Sequence, residues 1–397
     1  MGQAVLRLRR SLLVAALAGS ACVCSQSKDD RKATPPGTTP VTASSTGSDT
    51  GSGTGSSTGD SGVDLPPADD ALLKYVQGFE LDEAKARIDM AEFTRSPHPF
   101  GSERQREIIA WLETRLQDGG SRVVRDSFTA ATPNPAVSSG QTGPVASTID
   151  VTGVNVVALD SVKSEPACVV ALGTHFDTKI VPGTSYVGAN DGGSSTIALV
   201  HQLAYLKAQK AGFDLSCDVI GFFFDGEEAV LLNWTDGQVN HPARIQDNTY
   251  GSRSLASRLT DCSFEGKAAK CLPDALGGKP LIALVLMDMI GSPSLKISRD
   301  SLSTKTLSDL AAAGAKALGV EHAYDKYENA VQDDHVPFLS KGVPAVDLID
   351  FNNLDYWHRD GDTSEKLSYD SIETAGRIAL YVAMSIARAP KSYLGAK

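Results

Sequence analysis

Four long apolar runs set the limits on this fold. CVVALGTHFD from Cys168, DVIGFFFDGEE from Asp218, LIALVLMDMIG from Leu281 and VPAVDLIDF from Val343 are aliphatic, β-branched or aromatic with little polar alternation. Runs of this kind are strands covered on both faces. Residues 194–211, 252–259, 304–318 and 369–389 carry apolar residues at helical spacing. Strands alternating with helices predict an α/β fold: a single domain with a central mixed, largely parallel β-sheet flanked by helices. In such sheets ligands bind beyond the carboxyl ends of the strands. Upstream, helical spacing covers residues 71–92 and 103–116, the latter stopping at Gly119-Gly120, and two β-rich runs, VVRDSFTA and VNVVALD, flank a Pro/Gly/Ser stretch at 132–148.

The rest of the 397 residues divides by composition. Arg7, Arg9 and Arg10 precede the apolar run SLLVAALAGSACVC, so residues 1–24 read as an export signal too short to span a bilayer comfortably. Arg9-Arg10 faintly resembles a twin-arginine signal. Cys22 and Cys24 stand where a bacterial lipoprotein carries its lipidated cysteine, but Gly19-Ser20-Ala21 lacks the usual bulky aliphatic, which leaves a lipid anchor to the envelope open. Residues 25–66 are rich in Ser, Thr, Gly, Pro and Asp and have almost no apolar surface to offset ordering, so they read as a disordered linker. The catalytic domain is expected over 67–397, in a protein that is secreted, periplasmic or tethered to the envelope. A net charge of −11 argues against nucleic acid or acidic lipid as partner.

Four cysteines follow the signal, none in a CxxC pair. In an oxidising compartment Cys262 with Cys271 would close a short loop, leaving Cys168 with Cys217, for which buried free thiols are the alternative.

The chemistry sits at the ends of the apolar runs. His175 and Asp177 alternate around Phe176, which suits an imidazole ligand with a carboxylate in its second shell. Asp191 stands among Gly188, Gly192 and Gly193 before a helix, where it can ligate a metal or cap the helix. Glu227 and Glu228 directly follow GFFFDG, where two buried charges demand a cation or a proton. One could coordinate a metal while the other transfers protons. Asp288 interrupts LVLMDMI, QDDHVPF supplies Asp333, Asp334 and His335, and Trp357-His358 lies in a polar loop. Taken singly, each has a structural explanation; coincidence at every strand end is a poor one. Zinc takes imidazole and carboxylate ligands and keeps a position open in catalytic sites.

In this order GTHFDTK, GANDGG, FFFDGEEA, MDMIG, QDDHVPF and YWH resemble the zinc-dependent aminopeptidase superfamily over about residues 90–390. FFDGEEA followed by Trp234, together with YGSRSLA, MDMIGSP, QDDHVPF and the Lys179 of HFDTK, resembles its animal-type glutaminyl-peptide cyclotransferase branch. That resemblance implies one zinc held by Asp191, Glu228 and His358, Glu227 as general acid/base, Asp288 holding the proton network, and Trp234, Trp357, Asp334 and His335 on the substrate side. The substrate would be the N-terminus of a peptide or protein, its glutamine converted to pyroglutamate with release of ammonia. Asp347, where the cyclotransferases usually carry histidine, and Asn190 are closer to the aminopeptidases. With His175 and Asp288 as second-zinc ligands, a two-zinc aminopeptidase is the alternative. A non-catalytic binding ectodomain predicts eroded ligands or a missing Glu227, and neither is seen.

Overall fold

The computed structural model describes residues 69–137, 146–159, 161–163, 165–209, 211–232, 243–353 and 355–395, without the side chains of 326 and 327. The expected export signal, Cys22, Cys24, the linker and Trp234 lie outside the described residues. The chain begins with α1 (Asp70–Gln77), α2 (Glu83–Phe93) and α3 (Glu103–Asp118), then the long strands β1 (Arg122–Pro133) and β2 (Thr148–Leu159). The single helix expected over 71–92 is two, because the Asp82 carboxylate accepts from the backbone N–H of Lys85 and starts a new helix there.

Next come β3 (Cys168–His175), α4 (Gly193–Ala208), β4 (Cys217–Phe224), α5 (Tyr250–Ser257), β5 (Thr260–Phe264), β6 (Lys267–Cys271) and β7 (Pro280–Asp288). The chain closes with β8 (Ile297–Asp300), α6 (Lys305–Ala317), β9 (Tyr324–Asn329), α7 (His335–Leu339), β10 (Ala345–Ile349), α8 (Tyr369–Arg388) and α9 (Pro390–Tyr393). All four apolar runs are strands. They are the parallel centre of the sheet, in the order β4-β3-β7-β10, while antiparallel β1-β2 extends one side and the β5-β6 hairpin pairs with the start of β7. Strands β8 and β9 form a separate parallel pair.

The lack of polar alternation has a direct cause. Along β3, Val170 and Leu172 enter a core shared with α4, α6 and α8, while Val169 and Ala171 enter a second core shared with α5 and α7 on the opposite face. Each fully buried aliphatic side chain contributes about 1.5–3 kcal/mol of transfer free energy. Disulfides join Cys168 to Cys217 and Cys262 to Cys271. The first links residues already in register at the starts of β3 and β4. Among the described residues no helix is long and apolar enough to cross a membrane.

His98 ties the N-terminal segment to the sheet. Its backbone N–H donates to Thr178 Oγ1 at 2.9 Å, its ring meets Phe93 edge-on, and its Nε2 is buried without a partner. Burial depresses the imidazole to about 4. The unfolded chain therefore takes up this proton first, so the neutral ring's contribution is full above about pH 6.5 and is lost as pH falls toward 4. That loss is expected to be about 3 kcal/mol. Chemical denaturation at pH 7 and pH 4.5 should show a smaller pH dependence for His98→Asn than for the parent; equal dependence would refute the assignment.

Candidate metal centre and active site

The sheet register gathers the polar strand ends at one edge. His175 lies opposite Phe224, so Asp225–Glu228 continue just past it, and Asp288 lies opposite Ile349. After β3 the chain turns through Gly192, whose φ of +78° suits glycine, and enters α4. A Cβ at Gly192 would stand 2.7 Å from His175 Cε1, so Asp191 reaches the imidazole only because residue 192 has no side chain. Gly192→Ala is expected to cost about 1–3 kcal/mol by overpacking and to displace His175. Denaturant titration and zinc content should both register the change.

Asp191 is the centre of the arrangement. Its Oδ1 lies 3.2 Å from His175 Nε2, which is also 3.2 Å from Asp288 Oδ1. Its Oδ2 lies 3.4 Å from His358 Nε2, which is 3.2 Å from Glu228 Oε2. Two three-residue clusters, His175–Asp191–Asp288 and Asp191–Glu228–His358, thus share one carboxylate. Tyr186 donates its hydroxyl to Asp191 Oδ2 at 2.7 Å, and the Asp362 carboxylate accepts from the backbone N–H groups of Asn190 and Asp191.

Asp177 has a larger task than orienting an imidazole. It is 3.7 Å from His175 Nδ1, and its two oxygens accept from the backbone N–H groups of Glu227 and Glu228 at 2.9 and 3.2 Å. This fixes the paired glutamates by their backbone and leaves both side chains for chemistry. The buried Lys179 donates to the carbonyls of Ala229 and Leu231 and holds the segment beyond.

The donor set fits a cation. Both oxygens of Glu228 are buried without a hydrogen-bond partner, a costly condition for a carboxylate unless a cation faces it. Burial lifts the carboxyls of Glu227, Glu228 and Asp288 above their usual range, and the nearby Asp333 carboxylate pushes Glu227 further. Burial alone would depress His358, but the Glu228 and Asp191 carboxylates outweigh it and raise it to about 10. The acids therefore recruit positive charge, and imidazole with carboxylate is a zinc donor set.

Beside these groups opens a cavity of about 160 Å³, smaller than the roughly 300–1,000 Å³ of drug-sized pockets. It has room for one residue's side chain. Asp191, Glu227, Glu228, Asp288 and His358 line its polar end. Met289, Val331, Ile349, Phe351 and Trp357 form an apolar cluster on its other wall. Trp357 stacks on His358 with ring centroids 4.1 Å apart, and the left-handed backbone of His358, φ 54°, turns the two side chains toward the same site.

The sequence profile of peptidase family M28 matches residues 155–383, more than half of the chain. The chain belongs to peptidase family M28. Two relatives are the glutaminyl-peptide cyclotransferases of Bos taurus, 32% identical, and of Dictyostelium discoideum, 28% identical, the matches covering 53% and 55% of this chain. The M28 chain spans 60% of the length of each. Among solved structures it is similar to an Acidobacteriales bacterium glutaminyl cyclase, with 29% identity, a TM-score of 0.60 and coverage of 78% of this chain and 95% of that one. A leucine aminopeptidase precursor from Bacteroides thetaiotaomicron has the same fold, with a TM-score of 0.60, 16% identity and coverage of 77% and 97%.

Two residues expected at this M28 site lie away from its cavity. Asp334 and His335, expected on the substrate side, are 0% exposed and do not line the cavity. The turn into α7 points them inward, Asp334 toward the Ser252 hydroxyl, and presents Asp333 and Gln332 to the cavity instead. Tyr186, Asp362, Met289, Val331 and Phe351 were not foreseen. The apolar ones carry no signal that separates a cavity wall from ordinary core. Asp362, in the RDGD run beside His358, offered a carboxylate that could have been suspected.

Proposed function

We propose that this M28 chain is a glutaminyl-peptide cyclotransferase, closing the N-terminal glutamine of peptides to pyroglutamate with loss of ammonia. The reading is carried by the 29% identity to a bacterial glutaminyl cyclase over 95% of that chain, and the cyclotransferase names of the Bos taurus and Dictyostelium relatives support it. Asp191, Glu228 and His358 would hold a zinc ion, and the chemistry it would supply when bound is Lewis-acid polarisation of the substrate's side-chain amide carbonyl. Glu227 takes a proton from the α-amine as its nitrogen attacks that carbonyl, and returns it to the departing amide nitrogen, which leaves as ammonia. Asp288, which faces the same His175 Nε2 as Asp191 and lines the cavity, would hold the proton network. Trp357 and the apolar wall keep the small side chain packed and bulk water away.

A second reading is favoured by one observation: both oxygens of Asp191 face a histidine with a further carboxylate beside it. Two zinc ions could share Asp191, and Glu227 would then deprotonate water for attack on the first peptide bond. Incubating the purified protein with a Gln-initiated and a Leu-initiated peptide separates the readings by mass. Loss of ammonia from the first, with the second intact, is expected. Loss of an N-terminal residue without loss of ammonia would refute cyclisation. The proposal includes export through residues 1–24 and tethering through 25–66, testable by fractionating cells that express the full chain.

A further inference from the structure

At and behind the wall of the cavity lies a further group of His and Asp side chains, outside the two clusters that share Asp191. His335, the first residue of α7, Asp347 on β10, Asp333 in the turn before α7 and Asp300 at the end of β8 are each 0–4% exposed. Donor atoms of Asp333, His335 and Asp347 lie within 4.8 Å of one another. Several have nothing to bond: both oxygens of Asp347, Oδ2 of Asp333 and both ring nitrogens of His335 are buried without a hydrogen-bond partner.

Asp300 stands beside the imidazole. Its carboxylate accepts from Ser303 Oγ and from the backbone N–H groups of Leu302 and Val331, so it is held in place. Its Oδ2 lies 2.9 Å from His335 Nε2, a close contact outside hydrogen-bond geometry. The other ring nitrogen, Nδ1, faces Asp347 Oδ2 at 4.0 Å. The gap is too long for a hydrogen bond. It is within the roughly 4.2 Å that two ligands can span across a shared ion, each about 2.1 Å from it.

Charge points the same way. Asp300, Asp333, Asp334 and Asp347 are buried around one imidazole, and like charges at this depth must be compensated. We propose that His335, through Nδ1, together with Asp333 and Asp347 forms a separate zinc site. An ion there would tie the 330–333 wall of the cavity to β10 and offset negative charge behind Glu227. Imidazole with two carboxylates is a borderline donor set that zinc accepts.

The test reads metal content, so it does not depend on which reaction the chain performs. Protein stripped with chelator and reloaded with zinc alone is dialysed and analysed by mass spectrometry of the metal. Asp347→Asn and, separately, His335→Gln should each hold one zinc fewer than the parent. In Asp191→Ala, which lacks the carboxylate common to the catalytic clusters, one zinc should remain, and the Asp191→Ala/Asp347→Asn double variant should hold none. Cobalt loaded into Asp191→Ala should give visible d–d absorption that the double variant lacks. Circular dichroism identifies any variant that fails to fold, and the other then carries the test. Equal zinc in the parent and in whichever of Asp347→Asn and His335→Gln is folded, or a folded Asp191→Ala without zinc, would overturn the site. Loss of peptide cyclisation with this metal count intact would overturn only the proposed function.

Discussion

Glu227→Gln is expected to lower kcat by about 10³–10⁴-fold, the upper part of the range for one general acid/base, with zinc content unchanged. Glu227 lines the cavity and belongs to neither of the clusters that share Asp191. Its backbone is held from both sides, its N–H by Asp177 and its carbonyl by the N–H of Thr249. The amide is nearly isosteric, so the replacement keeps shape and removes only the capacity to accept and return a proton. Both halves of the proposed cyclisation would need that capacity, which is why the effect should exceed that of losing a positioning contact. Ammonia release from a Gln-initiated peptide, measured beside metal content, decides the matter. Turnover within tenfold of the parent would remove Glu227 from the reaction.

Asp191→Ala is expected to be at least as damaging, because one carboxylate serves both clusters. His175, Asp288, Glu228 and His358 would each lose the partner that relates them. Catalytic zinc should be lost and kcat should fall below about 10⁻³ of the parent, combining the loss of Lewis-acid and orienting effects. A ligand at 100 times its Kd stabilises a fold by about 2.7 kcal/mol. The parent should therefore show a clear zinc-dependent rise in Tm, and Asp191→Ala only the part due to ions elsewhere. An unchanged zinc response would mean that the shared carboxylate does not hold the catalytic ion.

These effects arise where the fold concentrates charge, and the sequence made much of that location legible. A strand buried on both faces must be apolar throughout, so Asp288 inside LVLMDMI and the glutamates after GFFF stood out against a strict background. The same logic failed for the cavity wall. Met289, Val331, Ile349 and Phe351 look like any core residues, because a wall and a core satisfy the same hydrophobic preference. It also failed for QDDHVPF: three adjacent polar residues do not reveal which faces a cavity, since a turn entering a short helix sends successive side chains in different directions.

The sequence alone determined the alternation of buried strands and helices, and hence the edge where His175, Glu227, Glu228 and Asp288 would gather. Strand and helix periodicity is local, set by which neighbours along the chain share a face. Tertiary structure alone decided which atoms meet: the two oxygens of Asp191 between His175 and His358, the grip of Asp177 on the backbone of both glutamates, and Asp300 behind His335. Most of these pairings join residues tens to more than a hundred positions apart, and His175 and Asp288, which meet in the same site, stand 113 positions apart in sequence. They follow from sheet register and from turns such as Gly192, so they exist only once distant strands have paired.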